Sequence, residues 1–397
     1  MIVTLTNKQE EGLRIAVQRY KLGLPYTCIA GYAGSGKSTL VRFIIDALEV
    51  SPEEVCYVAF TGKAAAVLQQ KGCPGATTAH KLLFKAKPTA NGGFVFQEKK
   101  ILDEDYKVIV VDEVSMLPSS MWDILMKHRV YVLACGDPGQ LPPVNPEDTN
   151  AILDHPHVFL DEIMRQAQES EIIRLSMHVR EGKPLSTFEA AGAQVQIFNK
   201  NELSIGMMTW ADQILCATNE TRNEYNQIMR QVKGFGPEPQ IGDKIISLRN
   251  NWEQFSTSGD WALTNGLIGT IADIEKKSFL VPKKISKKGL MPILCTTMSL
   301  DDGDMFEDLK VDYTCLTTGK PFFDPKETYL MRRDKTLPDP PLPFNYAYAL
   351  TTHKAQGSEW AKVLVVEERF PFSAEDHKRW LYTACTRASE KLVVIKK

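Results

Sequence analysis

Two groups of residues can do chemistry on type and spacing alone. Gly31-Tyr-Ala-Gly-Ser-Gly36-Lys37-Ser38 has the form G-x-x-x-x-G-K-[ST]. It lies between an apolar run, Tyr26-Thr-Cys-Ile-Ala30, and a helix-like stretch from Ser38 to Leu48. Glycines at this spacing let backbone N–H groups turn inward onto phosphate oxygens, and the start of the following helix adds positive partial charge. Lys37 then reaches the terminal phosphates and the Ser38 hydroxyl faces Mg²⁺. Val108-Ile-Val-Val-Asp112-Glu113 is an apolar run closed by two carboxylates. Alone, such a pair is a solvated loop feature. Placed 75 residues after Lys37, at the carboxyl edge of a parallel sheet, it faces the phosphate site. Asp112 is then a metal ligand, and Glu113 orients and deprotonates an attacking water.

Further groups follow in order. Cys135-Gly-Asp137-Pro-Gly-Gln140 ends the next strand and puts the Gln140 amide near a terminal phosphate. Leu160-Asp-Glu-Ile-Met-Arg165-Gln166 and Tyr382-Thr-Ala-Cys-Thr-Arg387-Ala388 each carry an arginine suited to stabilising charge on a transferring phosphoryl group. Taken in isolation, Arg165 could be a surface ion-pair partner, the common fate of such arginines. Taken together, the motifs describe a nucleoside triphosphatase that uses Mg²⁺.

The elements that must hold these groups are legible in outline. Val55–Phe60, Val108–Val111 and Val130–Ala134 are continuous apolar runs separated by helix-like segments such as the Ala-rich Lys63–Gln70. Strands of this kind are buried on both faces, which predicts a parallel α/β sheet. From Lys85 to Tyr106 the pattern breaks. Asn91-Gly92-Gly93 is a turn signal, and Phe94 and Phe96 fall on one face of the strand after it, which predicts an inserted β-hairpin over 85–105. These two rings are either packing residues or a base-stacking surface at a fork. Helices return from Phe159 to Asn250, with one apolar strand near Ile214–Ala217. Residues 251–344 carry short strands, many turns and a lysine cluster (Lys276, Lys277, Lys283, Lys284, Lys287, Lys288) that reads as a solvated loop. This predicts a small inserted β domain. Strands at Lys362–Glu367 and Lys391–Ile395 close the α/β pattern.

The ordered set resembles superfamily 1 helicases, most closely the RecD and phage Dda type that moves 5′ to 3′. The segment Tyr348-Ala-Leu-Thr351-Thr352-His353-Lys354-Ala-Gln356-Gly357-Ser358-Glu359 belongs to it. Leu5-Thr-Asn-Lys-Gln9 looks like the family's adenine-reading segment. Ala59-Phe60-Thr61-Gly-Lys63 and Thr77-Thr78-Ala-His80-Lys81 look like its single-strand-binding loops, and Ile241-Gly-Asp243-Lys244 and Asn265-Gly266 resemble the flanks of its inserted barrel. The resemblance implies two RecA-like parallel-sheet motor domains, residues 1–158 and residues 159–250 with 345–397. It further implies an inserted hairpin and a small β-barrel-like domain at 251–344. It implies nucleotide contacts from Gln9, Gly31, Gly34, Ser35, Gly36, Lys37, Ser38, Thr39, Gly357 and Glu359, with Ser38 and Asp112 on the metal. Lys37, Asp112, Glu113, Gln140, Arg165 and Arg387 would carry catalysis. Phe60, Thr61, Thr78, His80, Phe94, Phe96, Thr352, His353 and Lys354 would contact nucleic acid. His80 and His353 are as readily structural. Both arginines would act from the second motor domain, so that hydrolysis waits on closure of the cleft.

Composition narrows the field. The chain has 397 residues, 43% hydrophobic and 24% charged, which excludes a collagen, a coiled-coil rod and a mostly disordered chain. Lys plus Arg is 47 against Asp plus Glu 49, net −2, so nucleic-acid contacts must come from local patches. The eight cysteines are scattered, without a CxxC, which fits a reducing cytosol better than disulfides or structural zinc. There is no apolar run of membrane-spanning length and no signal-peptide pattern, so no membrane association is expected. The phosphate loop begins at residue 31 and the last strand reaches 395, so no fused nuclease module is expected. The expected protein is a cytoplasmic monomeric motor, of cellular or phage origin, working on single-stranded and forked DNA with replication or recombination proteins as candidate partners. Alternatives are a single-strand translocase that strips proteins or drives recombination, an RNA helicase, and a non-catalytic nucleic-acid-binding scaffold.

Overall fold

The computed structural model describes residues 4–88, 94–142, 151–164, 168–259, 261–286, 289–334, 336–368 and 373–397. The chain divides into two compact units, one of residues 1–85, 98–217 and 351–397 and the other of residues 86–97 and 218–350.

The first unit holds two parallel sheets. Strands β1 (Tyr26–Gly31), β2 (Val55–Ala59), β3 (Thr77–Thr78), β6 (Val108–Val111), β7 (Tyr131–Gly136) and β8 (Val158–Leu160) form a six-stranded sheet in the order β3-β2-β6-β7-β1-β8. Every neighbouring pair in it is parallel. The continuous apolar runs are buried on both faces, as their composition requires. Val108 and Val110 join one core cluster with Ile29, Leu40, Ile44 and Leu133, while Ile109 and Val111 join the other with Val58, Trp122, Leu125 and Val132. The period of two sends alternate side chains into opposite cores.

Helices α1 (Asn7–Lys21), α2 (Lys37–Ala47), α3 (Gly62–Gln70), α4 (Ala79–Leu83) and α5 (Ser119–Lys127) connect or flank these strands. Their starts follow side-chain chemistry. Thr6 and Gln9 make a reciprocal capping box on α1, and Thr61 and Thr78 cap α3 and α4.

The second parallel sheet contains β9 (Val195–Asn199), β10 (Gln213–Cys216), β19 (Trp360–Val366) and β20 (Ala388–Lys396), in the order β10-β19-β20-β9. With it go α6 (Glu171–Arg180), α7 (Ile205–Trp210), α11 (Thr352–Ala355) and α12 (Ala374–Cys385). The sequence reading has one strand between 159 and 250. The structure adds β9, whose half-exposed Val-Gln-Ile-Phe-Asn carries little apolar signal and is fixed by pairing with β20, from Val195 beside Leu392 to Asn199 beside Lys396.

The second unit is built on an antiparallel sheet of β14 (Ile268–Leu280), β15 (Leu290–Ser299), β16 (Met305–Asp312), β11 (Lys244–Ser247) and β17 (Phe344–Tyr346), ordered β16-β15-β14-β11-β17. A short pair, β12 (Asn251–Phe255) with β13 (Ala262–Leu263), and helices α8 (Asn219–Val232), α9 (Tyr313–Thr318) and α10 (Pro325–Arg333) complete it. Strands β4 (Phe84–Pro88) and β5 (Phe94–Glu98) form a two-stranded sheet where the hairpin is expected. Its turn residues, Asn91-Gly92-Gly93, lie outside the described residues, as do the side chains of Phe94 and Phe96. The lysine cluster is not one solvated loop. Lys276 and Lys277 belong to the long strand β14, and Lys276 donates to Glu238 at 3.0 Å and covers the Tyr313 ring at 4.1 Å. Lys287 and Lys288 lie outside the described residues.

A buried ion pair locks this unit. Arg230 on α8 donates to both carboxylate oxygens of Asp243 at 2.8 and 3.0 Å, with the side chains only 6% and 0% exposed. Asp243 also accepts from the Tyr348 hydroxyl at 3.1 Å and the Gln240 amide at 2.9 Å, and the guanidinium lies 4.3 Å from the Tyr346 ring centre. Removing one partner leaves an uncompensated buried charge, so Arg230→Ala is expected to cost about 3–5 kcal/mol. Urea unfolding followed by circular dichroism measures this, and a loss below about 1 kcal/mol would rank the pair with ordinary surface bridges.

Candidate active site

The phosphate loop spans the end of β1 and the start of α2. Gly36 takes φ +78, a left-handed conformation that side chains resist, and a Cβ there would collide with the Gln9 amide. Lys37 Nζ donates to the Gly31 and Tyr32 carbonyls at 2.7 and 3.0 Å, folding over the loop. Ser35 Oγ is buried and has no partner among the described residues. Gln9 is 1% exposed, and its amide donates to the carbonyls of Ser35 and Gly36 at 3.3 and 3.4 Å. As placed, it braces the loop as well as capping α1.

The carboxylates follow β6. Asp112 Oδ1 accepts from the Glu113 amide at 3.0 Å. Glu113 has φ +48, one of four non-glycine residues described with positive φ. One of its carboxylate oxygens, Oε1, faces Arg387 Nη1 at 3.4 Å, while Oε2 is buried without a partner among the described residues. Burial pushes the Glu113 carboxyl above its ordinary value, with Arg387 opposing the shift. Arg387, 6% exposed, is held by Nε on the Thr383 carbonyl at 3.1 Å and by Nη2 on Thr386 Oγ1 at 3.1 Å.

One cavity of about 260 Å³ collects much of the predicted set. Lys37, Ser38, Asp112, Glu113 and Arg387 line it, and so do Phe60 and Thr61. Gly357 and Glu359 line it from the loop before β19. Gly357 has φ +71 and brings bare backbone over Glu113, where a Cβ would lie 3.3 Å from Oε2. Glu359 pairs with Lys71 at 2.7 Å in an exposed bridge. The residues fit a phosphate chain with a divalent cation: a glycine cradle, a lysine, a hydroxyl and carboxylate on one wall, and buried oxygens at Ser35 and Glu113 that lack partners.

Gln140 is not among the residues lining this cavity. Its loop is fastened from the second sheet: Leu141 N donates to Thr383 Oγ1 at 2.9 Å, and Gln356 Nε2 donates to the Leu141 carbonyl at 2.7 Å. Thr383 and Gln356 carry no assignment in the sequence reading, and nor does Tyr382, although all three lie in quoted segments. Each is recognisable only through a partner more than 200 positions away. Arg165 lies outside the described residues.

The residues read as nucleic-acid contacts are dispersed in environment. Thr61 and Thr78 are helix caps, the latter 8% exposed. His80 lies between Phe60 and Phe84, ring centres 6.2 and 5.8 Å away, and burial lowers its pKa. Thr352 is fully buried, its hydroxyl donating to the Cys216 carbonyl at 3.4 Å, and burial also lowers the pKa of its neighbour His353. Lys354 follows on the same short helix, α11.

Two family models and several known helicases match the chain. Residues 4–201 match the AAA domain family, and residues 346–395 match the UvrD-like helicase C-terminal domain. The chain is 25% identical to the ATP-dependent RecD2 DNA helicase of Deinococcus radiodurans, over 91% of this chain and 46% of that protein. It is 29% identical to the ATP-dependent DNA helicase dda of Enterobacteria phage T4, over 45% of this chain and 43% of that one. It therefore spans less than half the length of either relative. In fold it resembles a Bacteroides Pif1 helicase crystallised with ADP-AlF3 and ssDNA, with TM-score 0.52 and 18% identity, covering 99% of this chain and 92% of that one. No helix among the described residues is long and apolar enough to cross a membrane. With the ordered motifs, both matched domains and the shared two-sheet α/β fold in agreement, the chain is similar to the superfamily 1 helicases of the RecD, Dda and Pif1 type.

Proposed function

We propose that the chain hydrolyses ATP and uses the hydrolysis to move 5′ to 3′ along single-stranded DNA, opening duplex as it goes. The observation that carries this reading is Arg387 standing 3.4 Å from Glu113 in the cavity that also holds Lys37 and Asp112. An arginine delivered from the second sheet to the carboxylate of the first makes turnover depend on how the two sheets meet. An arginine of this kind is worth on the order of 10³–10⁵ in rate. Direction and the preference for DNA over RNA rest on the family.

In this reading Lys37 binds the terminal phosphates, Glu113 takes the proton of the attacking water and Arg387 stabilises charge developing on the transferred group. Ser38 and Asp112 would hold Mg²⁺, which when bound neutralises phosphate charge. Gly31, Gly34, Gly36 and Thr39 frame the phosphates, and Gln140 and Arg165 complete the terminal-phosphate contacts. Gln9 reads adenine by releasing the carbonyls of Ser35 and Gly36. Residues 1–158 form the first motor domain and 159–250 with 345–397 the second, with 251–344 and the hairpin as insertions. Phe60, Thr61, Thr78, His80, His353 and Lys354 line the track, with Phe94 and Phe96 at the fork, while the fully buried Thr352 anchors the start of α11 on the Cys216 carbonyl. A duplex carrying either a 5′ or a 3′ single-stranded tail tests the whole reading: unwinding only of the 5′-tailed substrate supports it, and ATPase activity indifferent to DNA overturns it.

Lys37→Ala is expected to abolish turnover with the fold intact, since it removes the phosphate charge partner from a solvent-facing loop. The electrostatic contribution should be several kcal/mol, so residual turnover within about tenfold of wild type would contradict the assignment.

Glu113→Gln is expected to bind ATP and single-stranded DNA yet stall before hydrolysis. In the wild type, turnover should fall with acid at a pH above the usual glutamate value of about 4.3, because a buried base must lose its proton against desolvation. Loss of nucleotide affinity in Glu113→Gln would instead make Glu113 a metal or structural residue.

Replacing Phe94 and Phe96 together by Ala should lower base pairs opened per ATP while sparing DNA-stimulated hydrolysis, since each stacked base is worth about 1–3 kcal/mol. If that ratio is unchanged, the two rings play no part in separating strands.

A further inference from the structure

Beyond Arg387, helix α12 makes a second contact with the phosphate site that no assigned role explains. Tyr382 is 1% exposed, yet its hydroxyl is fully used. It accepts from the Ala33 amide of the phosphate loop at 2.8 Å and donates to Asp137 Oδ2 at 2.6 Å. Asp137, 5% exposed, in turn shapes the Gln140 loop: its Oδ1 accepts from the Gly139 amide at 2.8 Å, and its carbonyl accepts from the Gln140 amide at 3.2 Å. Gly139 passes hard against the ring, where a Cβ would sit 3.2 Å from Tyr382 Cε1. The neighbouring Thr383 receives the Leu141 amide. One turn of α12 thus clamps residues 137–141 and one amide of the phosphate loop together.

We propose that Tyr382 is a positioning residue for nucleotide turnover, its hydroxyl fixing the phosphate loop and the Gln140 loop at a single spacing. The proposal rests on the ATPase reading above. A buried carboxylate needs a donor. Tyr382 is the hydroxyl donor to Asp137, so the aromatic ring alone could fill the space but could not hold the loop. The charged groups around the clamp are few. Arg180 on α6 lies 3.6 Å from the Tyr32 ring centre, and Lys378 and Arg379 on α12 pair with Glu375. Together with Tyr32, Gly139 and Tyr382 they line one small pocket.

Tyr382→Phe keeps the ring and deletes the hydroxyl. Steady-state ATPase with saturating oligo(dT) is measured, alongside thermal melting. The expected result is a kcat lowered about tenfold or more, the loss for one hydrogen bond to a buried charge. KM for ATP should stay within about twofold, because Lys37 and the glycine cradle still bind phosphate. Adding Asp137→Asn should leave kcat low, because the loop still lacks its hydroxyl clamp. An unchanged kcat overturns the proposal. So does a lowered melting temperature with kcat and KM shifting together, which marks a packing role. If Tyr382→Phe alone does not fold, the double variant leaves no unpaired buried charge and carries the same kcat against KM comparison. Wild-type protein without DNA-stimulated ATPase would instead refute the underlying reading and leave the clamp unaddressed.

Discussion

Arg387 reaches Glu113 across 3.4 Å, from the helix end of one parallel sheet to the strand end of another. A guanidinium this buried must find acceptors, and the half-buried carboxylate facing it needs donors for its buried oxygen. Each is therefore held from its own side. The arginine is gripped by the carbonyl of Thr383 and the hydroxyl of Thr386. Glu113 is held in a left-handed backbone conformation that costs a non-glycine residue of order 1–3 kcal/mol. Such strain persists where surrounding structure over-determines it, here between the buried end of β6 and the bare backbone of Gly357.

The chemistry of the site follows from what that pairing leaves unsatisfied. Only one Glu113 oxygen meets the arginine, and the other is buried without a donor among the described residues. Desolvation without full compensation makes the carboxyl more basic than usual, which is what a proton acceptor near neutral pH requires. Arg387 follows directly on the helix that supplies Tyr382 and Thr383, so charge delivery and loop geometry hang on one element. Parallel strands buried on both faces make this affordable, because α/β sheets present their functional loops along one carboxyl edge over a firmly packed core.

How much of this the sequence discloses depends on how local the constraint is. The phosphate loop is readable because strand, turn and helix are specified within a dozen consecutive residues, and the left-handed Gly36 leaves its mark as a glycine. Asp112-Glu113 is readable because the apolar run before it is continuous. Strand β9 is not, since half its residues face solvent and its pairing is with residues near 392. Lys276 and Lys277 look like loop residues by charge, but strand β15 opposite them decides their conformation. Gln9 invites a ligand role by its motif, whereas its immediate partners are a helix cap and two backbone carbonyls. Tyr382 is silent in sequence because its meaning lies in Ala33 and Asp137, more than 240 positions away.

The pairing of β9 with β20 also bears on how the chain comes to be folded. Val195 lies beside Leu392, so the second parallel sheet joins residues 197 positions apart. The strands of the antiparallel sheet, by contrast, all fall between Lys244 and Tyr346. On a ribosome adding about 5–20 residues per second, β9 and β10 wait of order 10–40 seconds for their partners. Through that interval their apolar edges have no sheet to join. Non-local parallel pairing is intrinsically slow once the partners are present. As the edge strand of the finished sheet, β9 is short and half-exposed, and the same features that blunt the native edge also blunt it while it waits.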